Sequence, residues 1–563
     1  MGTIDLNLPE QIVTDGNLGI CLIEIENMVV QTSEGLISED EAKCLLTEFL
    51  DALGIVAASN EVIHLYTKIL DLERKNWNRI WCRIIKNHFA SASLNDFDVI
   101  VGNPPWLRWS SLPETYRNTI KPFCVQYGLF SSDNFVGGIE SDISTMVLYT
   151  AAQKWLRTGG RLAFLITRTV FKTESSEGFR KFRVPNDQTL QFRVIKVEDF
   201  TDLKPFEGAT NKPALVVIEK GKKTKYPVKW TVWKRINRNP IGDSYDLKEV
   251  KRETDVVKLV AHPLKNEGDP WLTVLPSLLD QCLALVRKDE SDYYLARKGI
   301  CTDCNGIYYG NILSKRGKQQ VTFENSPELG RNNKVTKVRA NIEKSLIYPI
   351  ARGREVSAFH WNFSGVYGIV PQSGMDGFPR LTMLRQYPKA LNFFNNFNAI
   401  LPTRASFRRY HLKRNAPIYS CWNVGPYTFS PYKVAWAEIS GKFSACVISS
   451  FNSEYWDNPR VIIPDHKLYF VPLDNEQEAH YLCAFLNAPQ VADFIHGYVE
   501  NTQIGTHITE YLDIPKFNAK RKTHIQLSEI SQNAHQGAID SEEAVSRIEV
   551  IVKRVLKRKS TKS

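Results

Sequence analysis

The sequence predicts an α/β protein, with a mainly parallel sheet flanked by helices and then a second, mixed α/β module. Three observations predict it. Between residues 96 and 220, apolar strand-like runs alternate with helix-period stretches: "FDVIVG", "DISTMVLYTAAQKWL", "GGRLAFLIT", "FRVIKVEDF" and "PALVVIEKG". Strands separated by helices argue for a mainly parallel sheet covered on both faces, to which the last runs could add an antiparallel edge. From about residue 271 the texture changes to short strands such as "VYGIV", "KVAWAEI" and "KLYFVPL", set among frequent Tyr, Trp, Asn, Arg and Gly. Finally, 563 residues exceed what one hydrophobic core usually organises, so several domains are expected.

Taken in order, residues 1–95 read as a helical N-terminal segment. "SEDEAKCLLTEFLDALGI" has helix-period apolar positions after Ser38, with Glu39 and Asp40 in the first turn, where acidic groups favour the helix dipole. "NWNRIWCRIIKNHFA" is a second candidate helix. Residues 96–220 carry the sheet. Residues 221–270, with "KGKKTKYPVKWTVWKRINRNP" and a mixed-charge helix, read as a connector. Residues 271–517 read as a recognition-type module, closed by a helical pair, "EQEAHYLCAFLNAPQVADFIHGY", interrupted near Pro489. Residues 518–563 read as a basic helical or disordered tail. Its end, "VKRVLKRKSTKS", suits a solvated terminus, with a backbone clamp on DNA as the alternative.

Composition narrows the function classes. Hydrophobic residues make up 43% and charged residues 24%, as in a water-soluble globular chain. No apolar run is long enough to span a bilayer, and "MGTIDLNLPEQIVTDG" lacks a signal-peptide core, so a cytoplasmic protein is expected. The net charge of +11 favours a polyanionic partner through counterion release. Ten scattered cysteines give no disulfide framework. Cys301 and Cys304 have metal-ligand spacing, but a zinc site needs about four ligands and no second pair is near; two reduced thiols in a turn are expected, and no metal.

The stretch "DFDVIVGNPPWLRW", Asp96 to Trp109, concentrates the chemistry. Ligands bind at the carboxyl ends of strands in open α/β sheets. Pro104 restricts Asn103 to extended geometry, and Pro104 and Pro105 fix the next two φ angles. The Asn103 amide therefore points to a set place, with the Pro104 carbonyl close by. Together they offer two acceptors to both protons of an exocyclic amine, and Trp106 offers a flat surface for the ring bearing it. An adenine flipped from a duplex fits that demand, and unstacking it costs a few kcal/mol. With the amine held, attack on the methyl group of S-adenosylmethionine gains its rate largely from alignment. A rigid strand-capping turn, with Trp106 in packing, is the alternative for this loop.

"FDVIVGNPPWLRW" resembles catalytic motif IV of the N6-adenine DNA methyltransferases, in the Eco57I-like restriction–modification group. "AAQKWLRTGGRLAFLIT", "FEGATNKP" with "ALVVIEK", "LIYPIARGREVSAF", "HKLYFVPL" with "YLCAFLNAP", and "ITEYLDIPKF" follow in the order of that group. The resemblance covers roughly residues 75–517. It implies a partial Rossmann-like methyltransferase sheet with a C-terminal target recognition domain, S-adenosylmethionine as cofactor and double-stranded DNA as partner, in restriction–modification or phage defence. It also implies Asn103, Pro104, Pro105 and Trp106 as the catalytic loop, with Trp in place of the commoner Tyr. By position after the strand, Phe171 is a candidate for the base pocket, with core packing as its alternative.

The family's glycine-rich cofactor segment is not evident before this motif. "TDGNLGI", Thr14 to Ile20, lacks the tight Gly-x-Gly spacing, although "LGICLIEIENMVV" behind it is a possible strand with Glu24 or Glu26 as the acid. Thr158 to Arg161 is better read as the turn before a strand. The expectation is a split or truncated enzyme whose cofactor half sits mainly on a second polypeptide, with sheet edges that need covering.

On the recognition side, "LPTRASFRRYHLKRNAPIYSCW" interleaves Arg404, Arg408, Arg409, Lys413 and Arg414 with aromatic residues, and "ARGREV" adds Arg352 and Arg354. Such side chains suit phosphates and guanine edges, with a well-charged surface as the alternative. Asn501, Thr502 and Gln503 form another polar loop. Glu198, Asp199 and Lys204 do not make a nuclease arrangement, so no cleavage is expected of this chain. Two rival functions stand beside the methyltransferase: an inactive DNA-binding specificity module, and an RNA or protein amide methyltransferase. The long second module argues against the latter.

Overall fold

The computed structural model describes residues 8, 12–13, 16–75, 80–130 apart from 90–94, 141–287 apart from 207, 209, 238, 240 and 243, and 293–560 apart from 439–440, 442 and 500–503. The N-terminal part is helical: α1 (Leu18–Ser33), α2 (Glu39–Ala52), α3 (Ser59–Arg74) and α4 (Trp81–Phe89). Their inward faces meet around Leu22, Ile25, Leu46, Leu50, Leu65 and Tyr66. Ser38 caps α2 by accepting from the Glu41 N–H, satisfying one of the otherwise orphaned first-turn amides.

The main sheet has eight strands. Seven are β1 (Phe97–Gly102), β2 (Leu156–Thr167), β3 (Asp187–Asp199), β4 (Pro213–Lys220), β5 (Val228–Arg235), β6 (Thr254–Pro263) and β7 (Trp271–Val274), with Arg183–Val184 pairing beside β3. The order is β1-β2-β4-β3-β5-β6-β7. Only β1–β2 and β3–β5 are parallel; the remaining pairs along that path are antiparallel. The α/β class holds, but the sheet is mixed rather than mainly parallel. A parallel neighbour needs a long crossover, and a helical crossover is present between β1 and β2, where α5 (Glu114–Gln126) and α6 (Ile143–Lys154) lie.

Residues 221–270 are not a connector. β5 and β6 lie within them and extend the sheet, because "VKWT" alternates buried Val228 and Trp230 with outward Lys229. Two side chains then fasten the far edge to the rest of the chain. The buried Lys172 ammonium donates to the Trp271 carbonyl, Thr273 Oγ1 and the Gly497 carbonyl. The buried Arg180 guanidinium donates to the carbonyls of Val170, Thr173, Gly268 and Asp269.

The second half holds a six-stranded and a four-stranded sheet. The larger contains Tyr309–Arg316, Gln320–Asn325, Arg339–Glu343, Ile347–Ala351, Tyr367–Ile369 and Ile463–Pro464; the smaller contains Arg297–Lys298, Tyr432–Ala437, Ala445–Ile448 and Leu468–Leu473. The last segment is an integral part of the core rather than a tail. Helices α7 (Glu476–Leu486), α8 (Pro489–Tyr498), α9 (Lys522–His535) and α10 (Ser541–Ser560) share one core, into which Leu527, Ala534, Ala544, Ile548 and Val552 are fully buried. The spacing of Ala544, Ile548 and Val552 is four residues, one face of a helix. No described helix is long and apolar enough to cross a membrane.

Candidate functional site

The site is built where β1 ends. Gly102 is needed there: a Cβ on it would stand 2.9 Å from the Phe164 ring of β2. The chain then leaves the sheet with Asn103 exposed, Pro104 buried and Pro105 exposed. Trp106 is half-buried, and its indole N–H donates to the Leu165 carbonyl on β2 at 3.0 Å. That bond uses the one polar group of the ring and fixes its plane. Beyond it, the Trp109 N–H donates to the Ser141 carbonyl and the Ile143 N–H to the Leu107 carbonyl, both at 2.9 Å, so Arg108 and Asp142 form an antiparallel bridge. Asn103 therefore projects from a turn held at both ends, while its own side chain faces solvent.

Asp142 is the hub of this support, and sequence reading did not single it out. It caps α6, accepting from the Ser144 N–H at 2.9 Å, and accepts from Thr167 Oγ1 at the end of β2 at 3.1 Å. Burial pushes its carboxyl pKa up, opposed by the Ser144 and Thr167 hydrogen bonds and the charge of Arg108. The available signal was its place as the polar residue opening "DISTMVLYTAAQKWL", a helix-cap position.

Phe206 is the second residue that sequence reading missed as a site residue. Its ring lies 5.3 Å from that of Trp106, edge to face at 80°, and remains 38% exposed. The loop bearing it leaves β3 at Asp199, which accepts from Arg168 of the β2 end at 3.1 Å and from the Thr201 N–H at 3.0 Å. The ends of β1, β2 and β3 thus bring an exposed amide and two aromatic rings together. Phe171 is not part of that group. It is fully buried against Phe179, Trp230 and Trp271, and its position after β2 places it in the sheet's own core.

At β1, one edge pairs with β2, and no described residue pairs with the other. Phe97, Val99 and Val101, which alternate onto one face, are 40%, 59% and 74% exposed. The strand that presents Asn103 is therefore the least covered of the sheet.

The N-terminal cofactor candidate does not fit S-adenosylmethionine. Gly19, Glu24 and Glu26 all lie within α1, so the expected strand and glycine loop are a helix that offers no open backbone cradle; Thr14 lies outside the described residues.

The predicted DNA-contact residues separate sharply. Arg404 is buried and spent on the carbonyls of Thr302, Leu401, Ile418 and Ser420, so it cannot reach DNA; it binds the segment's ends together. Arg414 is paired with Asp376 at 2.6 Å. Arg352 is half-buried beside the loop at Glu355, whose carboxylate accepts from the Arg352 N–H. Arg354, Arg408, Arg409 and Lys413 are exposed. Asn501, Thr502 and Gln503 lie outside the described residues. Cys301 donates to Asp303 at 3.0 Å, and burial pushes its thiol up to about 12.

Against known proteins, residues 45–206 match the pattern that defines the Eco57I restriction-modification methylases. The chain resembles that group. The match takes in β1, the Asn103 loop, Asp142, β2 and Phe206. Type II methyltransferase M.NspV of Nostoc sp. is 27% identical over 177 residues, covering 31% of this chain and 35% of the relative. Type II methyltransferase M.HindII of Haemophilus influenzae is 23% identical over 353 residues, covering 58% and 57%. The chain thus spans well under two thirds of either methyltransferase. Among solved structures, the type IIL restriction-modification enzyme MmeI in complex with DNA aligns over 84% of this chain and 55% of its own, with a TM-score of 0.49 and 11% identity.

Proposed function

We propose that this chain is the target-base and DNA-recognition part of a site-specific adenine-N6 DNA methyltransferase, acting in restriction–modification or phage defence. The observation that carries the reading is the exposed Asn103 amide, on a turn clamped by the Trp106–Leu165 bond and flanked by Trp106 and Phe206. The Asn103 Oδ1 and the Pro104 carbonyl accept the two N6 protons of a flipped adenine. The aromatic pair borders the base and offsets part of its unstacking cost. Asp142 acts through the backbone, holding the turn at its Arg108 end. The methyl group would come from S-adenosylmethionine held mainly by a second polypeptide. The bare edge and apolar face of β1 support that partner, since an exposed strand bearing Val99 and Val101 invites pairing with another chain. We divide the chain accordingly into a helical unit before β1, the sheet unit of β1–β7, and a recognition unit that includes α7–α10.

The test is Asn103→Ala in the assembled enzyme. The expected outcome is loss of adenine methylation by at least about 100-fold, the scale of removing one positioned polar group from a reacting centre, with DNA binding retained. Undiminished methylation would reject the reading.

A further inference from the structure

The basic segment after Ala405 is not a plain helix. Phe407–His411 is a π-helix, followed by a short 3₁₀ turn, Leu412–Arg414, that stops at Asn415 with a left-handed φ of 51°. π-turns are rare and concentrate at functional positions. This one is anchored from inside. The buried Arg404 guanidinium gathers four main-chain carbonyls on either side of it. The Ser406 N–H donates to Asp303, and His411 Nδ1 lies 2.8 Å from Asp376, which also takes Arg414.

Only some of the outward cations on this segment are left available, and they are not equivalent. Arg408 and Lys413 are exposed to solvent. Arg409 lies on a column of rings. Its guanidinium is 5.2 Å from the Tyr410 ring centroid, and Tyr410 stacks on Trp422 at 3.8 Å with the planes 9° apart. Trp422 is in turn fixed by two backbone hydrogen bonds with Cys301, each 2.9 Å. A guanidinium held over a ring loses rotamer freedom before any ligand arrives, while its N–H groups can still donate at the ring's edge. That suits a planar bidentate acceptor, whereas a mobile ammonium or an unstacked Arg suits a phosphate.

We infer that Arg409 is a sequence-reading residue, its guanidinium pre-set by the Tyr410–Trp422 column to meet the edge of a guanine in the major groove, while Arg408 and Lys413 hold the DNA backbone. The inference rests on the DNA-methyltransferase reading and deepens it. Bidentate Arg contact with guanine is the commonest specific contact in that groove.

The experiment selects bound sequences from a randomised duplex pool with the full-length protein and with Arg409→Ala, Arg409→Lys, Arg408→Ala and Lys413→Ala, then measures affinity against salt. Circular dichroism confirms that each variant folds. Arg409→Ala is expected to lose preference at one or two base pairs, weakening the selected site by about 10- to 100-fold while random duplex binds nearly as before. Arg409→Lys should not restore the preference. Arg408→Ala and Lys413→Ala should weaken all duplexes evenly and lower the salt slope by about one each. An unchanged sequence preference in Arg409→Ala, or an even loss across all duplexes, would overturn the inference and leave the DNA reading standing. Absence of duplex binding by the unaltered protein at low salt would overturn both.

Discussion

The two edges of the main sheet differ. At the β7 edge, Lys172 bonds to β7 and to Gly497 of α8, and Trp271 and Leu272 are fully buried. At the β1 edge, no described residue pairs with the strand on the side away from β2, and Val101 is 74% exposed. The same sheet is sealed where it meets its own chain and bare where it presents Asn103. An edge kept apolar and unpaired is an aggregation hazard that natural proteins normally blunt. Under the proposed function, the second polypeptide covers it.

Breaking the sealed side should have the largest effect. Lys172→Met removes the donor to the buried Trp271 and Gly497 carbonyls and to the part-buried Thr273 Oγ1, leaving Gly497 its bond from Thr273, and should cost about 3 kcal/mol of stability, or prevent folding, since a stranded buried acceptor costs roughly 1–3 kcal/mol. Denaturant unfolding reads the loss, and a change under 0.5 kcal/mol would deny the fastening role.

Acid should loosen the recognition side next. His480 and His535 face one another at 4.8 Å between α7 and α9, and burial pushes their pKa values down to about 3 and about 4. The native state holds both neutral, and the unfolded chain takes up protons first near pH 6.5. Stability from this pair is therefore complete above that pH and falls as pH drops through the native values, by a few kcal/mol in total. A melting temperature flat between pH 6.5 and 4 would contradict this, and His480→Phe should flatten the profile if the ring packs as well.

The smallest effect on the protein itself belongs to the bare side. Val101→Lys should change stability by no more than about 0.5 kcal/mol, as for other exposed positions. Under the proposed function, the same substitution should abolish co-purification with the second polypeptide proposed to hold the cofactor. A large loss of stability would mean that the face is already covered.

Much of this was legible in the sequence, and the failures have physical causes. The strand-to-loop passage at Gly102–Asn103 could be read because a glycine ends the apolar run and the two prolines after Asn103 restrict the backbone locally. Phe171 stood open between base pocket and core, because its place after a strand suits both, and only its packing against Trp230 and Trp271 decides for the core. Arg404 reads like Arg408 in the chain, but long-range carbonyls from Thr302 and Ser420 claim it. Which strands run backwards, β4 and β6, was not legible because apolar runs do not encode direction. The final helices looked like a tail because their charged faces dominate composition, while the four-residue spacing of Ala544, Ile548 and Val552 carries the burial.

The most direct measurement is modification mapping of host DNA in cells carrying this gene with its genetic neighbours, beside cells carrying Asn103→Ala instead. The account predicts N6-methyladenine at one defined sequence in the first and none in the second. The same adenine methylation in both, or a modified base other than adenine, would contradict it.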